Sequence, residues 1–161
     1  MTFYPTVNQN PGRMNLFDFL EYKVLLDFGH NPDSARAFEQ LLPRLSPGRK
    51  IGLFHGTGNR TSEQLIDYGK ALARGYDYIM LTDFDPRNRP FGETPKLVYE
   101  GLIKGGFSKD NIEIIQDPDK AVDTIFSKVK SGDLLVIQPN ELEPVMGQIM
   151  ERYRKMVTLP S

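Results

Sequence analysis

Aspartate, histidine and asparagine fall together in DFGHNPD (27–33), directly after the apolar run KVLL. Asp27 there is able to accept hydrogen bonds from sugar hydroxyls, while His30 and Asn31 suit packing against, or bonding to, a planar ring. The same turn also suits helix initiation, with Asn31 as the cap and Asp33 complementing the dipole. For His30 both readings stay open. A second stretch, HGTGNRT (55–61), offers glycines that permit close backbone approach, N–H groups that favour anions, and the charge of Arg60. It lacks the Gly-Lys-[Ser/Thr] ending of a phosphate loop, and Thr61 stands where a dinucleotide fingerprint needs its third glycine. An ordinary glycine-rich connection is its plainer reading, and His55 reads as a strand-end residue without a chemical task. A third stretch, TDFDPRNRPFGE (82–93), carries Asp83, Asp85 and Glu93 beside Arg87 and Arg89. Both charge signs in one loop are able to hold an amino acid by its carboxylate and a cationic end; a solvated connector is the alternative.

The elements that must position these loops alternate along the chain. MNLFDF (14–19) and KVLLDF (23–28) read as a strand pair, and further strands follow at 50–55, 76–82, 112–115 and 133–138. Apolar residues at helical spacing mark helices at 32–45, 61–74, 94–104, 118–130 and about 141–155. Asn31-Pro32, Thr94-Pro95 and Asp117-Pro118 each put a capping side chain before a proline at the first helical position, and Thr61 with Gln64 fits a capping box. Gly105-Gly106 suits a left-handed helix end. The alternation predicts an α/β, three-layer Rossmann-like domain with a mostly parallel sheet and an N-terminal strand pair. Residues 1–161 read as one domain, with 1–10 as a linker or extended segment. In such a sheet, function is expected at the carboxyl ends of the strands, where all three loops fall.

Composition narrows the classes. The 161 residues carry 20 Lys and Arg against 21 Asp and Glu, a net charge of −1, so nucleic acid is not an expected partner. With no cysteine, disulfides and thiolate metal sites are excluded, and no other metal-ligand cluster is visible. No apolar run approaches the roughly 20 residues that span a bilayer, and the start lacks a signal peptide's apolar region. A soluble, cytoplasmic protein is the expectation.

Taken in order, NPGRMNLFDF (10–19), the Asp-x-x-His-Asn-Pro signature at 27–32, Gly58-Asn59-Arg60 and GDLLVI (132–137) resemble the C-terminal domain of the Mur ligase superfamily. Asn59 departs from that family's Gly-Asp-Arg turn, and Asp85-Pro86-Arg87 matches its Asp-Asn-Pro-Arg motif only in part. Together with PRNRPFGE (86–93), the pattern is most similar to the branch that adds arginine to an aspartate side chain. The resemblance implies the C-terminal domain of an ATP-dependent amide-forming ligase, which closes over ATP and helps to bind the incoming amino acid. By position it implies Arg13 as a catalytic residue near the terminal or acyl phosphate, and Asp27, His30, Asn31 and Arg60 around the nucleotide. Asp83, Asp85, Arg87, Arg89 and Glu93 become candidates for the amino-acid substrate. The chain holds no phosphate loop, so ATP and magnesium imply a central ATPase domain as partner, with the magnesium ligands outside these residues. Alone, the 161 residues are expected not to ligate. A stand-alone, non-catalytic nucleotide- or amino-acid-binding regulatory module is the alternative.

Overall fold

The computed structural model describes residues 15–27, 29, 31–140 and 142–158. Arg13, His30 and the segment 1–10 lie outside the described residues, and so do the expectations attached to them.

Strand β1 (Asn15–Asp18) turns back at 19–22 onto β2 (Lys23–Leu26), and the two pair antiparallel. Helix α1 (Pro32–Leu45) follows, then β3 (Lys50–Phe54), α2 (Ser62–Leu72), β4 (Tyr78–Leu81) and α3 (Glu93–Lys104). The chain continues through β5 (Ile112–Ile114), α4 (Pro118–Lys128), β6 (Leu134–Ile137) and α5 (Leu142–Thr158). All six strands form one sheet in the order β1-β2-β6-β3-β4-β5, and every pairing after the first is parallel.

Strand residues alternate between two apolar layers, as a sheet covered on both faces requires. Leu25, Phe54, Ile79, Leu81, Leu134 and Val136 face Phe38, Leu42, Leu65, Val98 and Leu102 of α1, α2 and α3. Val24, Leu26, Leu53, Met80, Leu135 and Ile137 face Val122, Ile125, Val145 and Ile149 of α4 and α5. Burial of each such side chain stabilises by roughly 1.5–3 kcal/mol before chain entropy is counted. The three-layer, mostly parallel architecture is therefore as the sequence indicates.

Helix starts hold with one exception. Asn31 forms a full capping box with Ser34, Thr61 forms one with Gln64, and Asp117 accepts from the N–H groups of Asp119 and Lys120. At α3 the expected Thr94 cap is corrected: the helix begins at Glu93, behind Gly92 at φ 92° with no side-chain cap. Thr94 is buried instead and its hydroxyl donates to Asp83 at 3.1 Å. A buried carboxylate left without donors is costly, and the Thr94 hydroxyl supplies one of the two that Asp83 receives. At the far end, Gly106 takes the left-handed conformation expected of it, at φ 90°.

Strand β6 lies between β2 and β3, so the β2-to-β3 connection passes over its place and the chain doubles back from β5 to fill it. The chain leaves β2 and β3 toward α1 and α2 on one face, but leaves β6 toward α5 on the other. This divergence parts the backbone at the carboxyl edge of the sheet, where such folds hold ligands.

Candidate functional site

The turn after β2 is built by its own side chains. The Asp27 N–H donates to the Ile137 carbonyl, and Asp27 Oδ2 accepts the Gly29 N–H at 2.7 Å. Asn31 Oδ1 then accepts from Ser34 N at 2.9 Å, starting α1. Asp27 is only 8% exposed, so its carboxylate shapes the turn from beneath. Asn31 sits at the rim.

The turn after β3 is pressed against the one after β4. Thr57 bridges to Asp85, and Gly58 N–H donates to the Asp85 carbonyl at 2.8 Å. A Cβ at Gly58 would stand 2.0 Å from the Pro86 carbonyl oxygen. That glycine serves a backbone neighbour within the protein. Arg60 follows, half-buried, and its guanidinium has no hydrogen bond or ion pair with a described residue. His55 is buried and packs edge-on against Phe84, 5.1 Å between ring centres.

In the third loop, charge is largely committed. Asp83 is 2% exposed and accepts from Gly92 N at 2.6 Å and from the Thr94 hydroxyl. Arg89 donates to the carbonyls of Gly58 (3.2 Å) and Arg60 (2.7 Å) and to the Ser62 hydroxyl, and pairs with Glu93 at 3.5 Å. It clasps the second loop to the third. Asp85 and Arg87 form a separate pair, with Nε 3.1 Å from both carboxylate oxygens. Arg87 holds a left-handed φ of 49°, a conformation uncommon for side chains other than glycine.

One organising residue escaped the sequence reading. Gln138, buried just past β6, accepts from the Tyr68 hydroxyl at 2.8 Å and from the His55 N–H at 3.3 Å, and donates to the Gly29 carbonyl. Burial, chiefly, pushes the Tyr68 phenol well above its ordinary pKa, which keeps it a donor. The one signal in the sequence was a polar residue ending the apolar strand LLVI at the functional edge.

The first and second loops meet at a cleft of about 210 Å³ lined by Asn31, Pro32, Arg60, Gln64, Leu65, Asp67 and Tyr68. Two helix N-termini flank it, and the uncommitted arginine adds positive charge. Apolar Pro32 and Leu65 suit the flat part of a ligand, and Arg60 an anionic part. The volume falls below the roughly 300–1,000 Å³ of sites that enclose a small molecule. These residues fit one wall of a nucleotide site. The third-loop pair Asp85–Arg87 is not among those lining this cleft. Among the described residues, no group of three or more His, Asp or Glu is placed to hold a metal ion, and no helix is long and apolar enough to cross a membrane.

Comparison with known proteins bears on the family and the fold. The family described as Mur ligase, glutamate ligase domain, matches residues 12–140. A cyanophycin synthetase of Crocosphaera subtropica is 36% identical over 152 residues, which cover 94% of this chain and 17% of that protein. The UDP-N-acetylmuramoyl-L-alanyl-D-glutamate--2,6-diaminopimelate ligase of Aquifex aeolicus is 32% identical over 127 residues, 79% of this chain and 26% of its own. Among solved structures, E. coli FolC in complex with ADP superposes with a TM-score of 0.63 at 18% identity, over 91% of this chain and 33% of that one. The chain thus spans about a sixth of the cyanophycin synthetase it matches.

Proposed function

The chain belongs to the Mur ligase family, as its glutamate ligase domain, and from that premise we propose that it closes over ATP in an amide-forming ligase and helps to bind the incoming amino acid. The observation that carries this reading is the cleft where Asn31 and the uncommitted Arg60 meet between two helix N-termini. Asn31, Pro32 and Leu65 are assigned to the nucleoside side and Arg60 to the phosphates. Asp27 holds the turn through Gly29. His30 and Arg13 keep the roles their motifs imply, beside the nucleoside and the acyl phosphate. ATP, with magnesium held by a phosphate-loop domain, supplies the phosphoryl group that activates a carboxylate for attack by an amine.

For the amino acid, Asp83 and Arg89 are assigned to holding the loops, which leaves Asp85, Arg87 and Glu93 for recognition. The Asp85 carboxylate already receives a guanidinium, that of Arg87, and a substrate guanidinium is able to exchange for it. Support for arginine as the substrate comes from this geometry and from the similarity to cyanophycin synthetases.

The test joins the chain to a P-loop ATPase domain and follows ATP-dependent amide formation. Loss of one charge-assisted contact in Arg60→Ala should raise the KM for ATP by about 10- to 100-fold. Asp27→Ala should also raise it. Unchanged KM for ATP in both variants, each still folded, would remove the nucleotide reading.

A further inference from the structure

A carboxamide ties the nucleotide turn to the second strand-end loop and to α2. Gln138 is 1% exposed, and its own N–H is fixed in the sheet by the Leu53 carbonyl at 3.0 Å. Its Oε1 faces two donors, the Tyr68 hydroxyl and the His55 N–H, so its Nε2 is the end that meets the Gly29 carbonyl. On the other side of that peptide, Gly29 N–H reaches Asp27 Oδ2. No side chain fits at this joint: a Cβ on Gly29 would stand 2.6 Å from Asp27 Oδ2 and 2.8 Å from Ser34 Cβ. Tyr68 lines the same cleft as Asn31.

We infer that Gln138 is a positioning residue, which sets the Asp27–Asn31 turn against α2 and thereby fixes the two sides of the nucleotide cleft relative to each other. The inference rests on the nucleotide reading above. Only an amide serves at this place. A glutamate keeps the two acceptor contacts but has no donor for Gly29 and adds charge near Asp27; a leucine makes none of the three. Since buried amides leave costly unpaired groups when replaced, the turn must move to find new partners.

The test titrates ATP into the chain and reads the dissociation constant from amide chemical shifts. Gln138→Glu is expected to weaken ATP about tenfold and to shift the Gly29 and Asn31 amides in the absence of nucleotide. Tyr68→Phe removes one of the three bonds and should weaken ATP about two- to threefold; it carries the test should Gln138→Glu fail to fold. A role in stability alone would leave the ATP dissociation constant unmoved, so the decisive comparison is a double-mutant cycle on that constant. With Asp27→Ala in place, Gln138→Glu or Tyr68→Phe should cost less than half of its own single-variant effect. Full additivity, or unchanged affinity in folded Gln138→Glu and Tyr68→Phe while Asp27→Ala weakens ATP, overturns the inference and spares the nucleotide reading. Unchanged affinity in Asp27→Ala and Arg60→Ala as well overturns both.

Discussion

Both oxygens of Asp83 are spent inside the protein, on Gly92 N–H and the Thr94 hydroxyl, while the Asp85 carboxylate two residues on meets, among the described residues, only the Arg87 side chain. The two aspartates should therefore fail differently. Asp83→Ala strands two buried donors and should cost about 3 kcal/mol, lowering the melting temperature by roughly 10 °C. Once folded, it should leave preference among amino acids intact. Asp85→Asn should cost under about 1 kcal/mol, since its partner is half-exposed, yet it should raise the KM for arginine relative to uncharged amino acids. Thermal melts together with substrate competition separate the two; the reverse pattern would contradict these assignments. Sequence reading treated all the charges of this loop alike, because burial depends on where 83 and 94 meet. Arg89 shows the same limit: its partners Gly58, Arg60 and Ser62 lie some thirty positions upstream. Asn31 and Thr61 were legible because a cap and its receiver sit three residues apart.

At the scale of elements, α2 and α3 approach until their backbones touch. A methyl at Gly101 would stand 2.0 Å from the Ile66 carbonyl oxygen, and one at Gly69 would stand 2.1 Å from that of Val98. Alanine in a helix is favoured over glycine by about 1 kcal/mol, but a clash with backbone cannot be relieved by a rotamer change. Overpacking of this kind costs about 1–3 kcal/mol or more, so it wins. Gly101→Ala should destabilise by about 2 kcal/mol in urea unfolding, whereas gain of stability would show that the helices are free to separate. These helices set the third loop, since α3 starts where that loop ends. Helical periodicity located both helices, yet it carried no sign of their contact. The strands were legible from alternation on two apolar faces, and their observed ends fall within two residues of those expected.

Across the whole molecule, β6 inserted between β2 and β3 separates the paths of α1 and α2, on one face, from that of α5 on the other. Motif order pointed to the carboxyl edge of the sheet, because strand–loop–helix alternation puts every such loop there. Gln138, which joins the edge across β6 and β3, depended on a strand order that the sequence does not spell out. The cleft of about 210 Å³ lies between the first turns of α1 and α2 at this edge, and in the proposed reading it takes part of a nucleotide while a second domain takes the remainder. The central claim is that this wall receives ATP. Amide shifts of the isotope-labelled chain, recorded as ATP is added to millimolar concentration, test it most directly. The account predicts saturable shifts clustered at Asn31, Arg60, Gln64 and Tyr68, diminished in Arg60→Ala. Shifts centred elsewhere, or none at these residues, would contradict it.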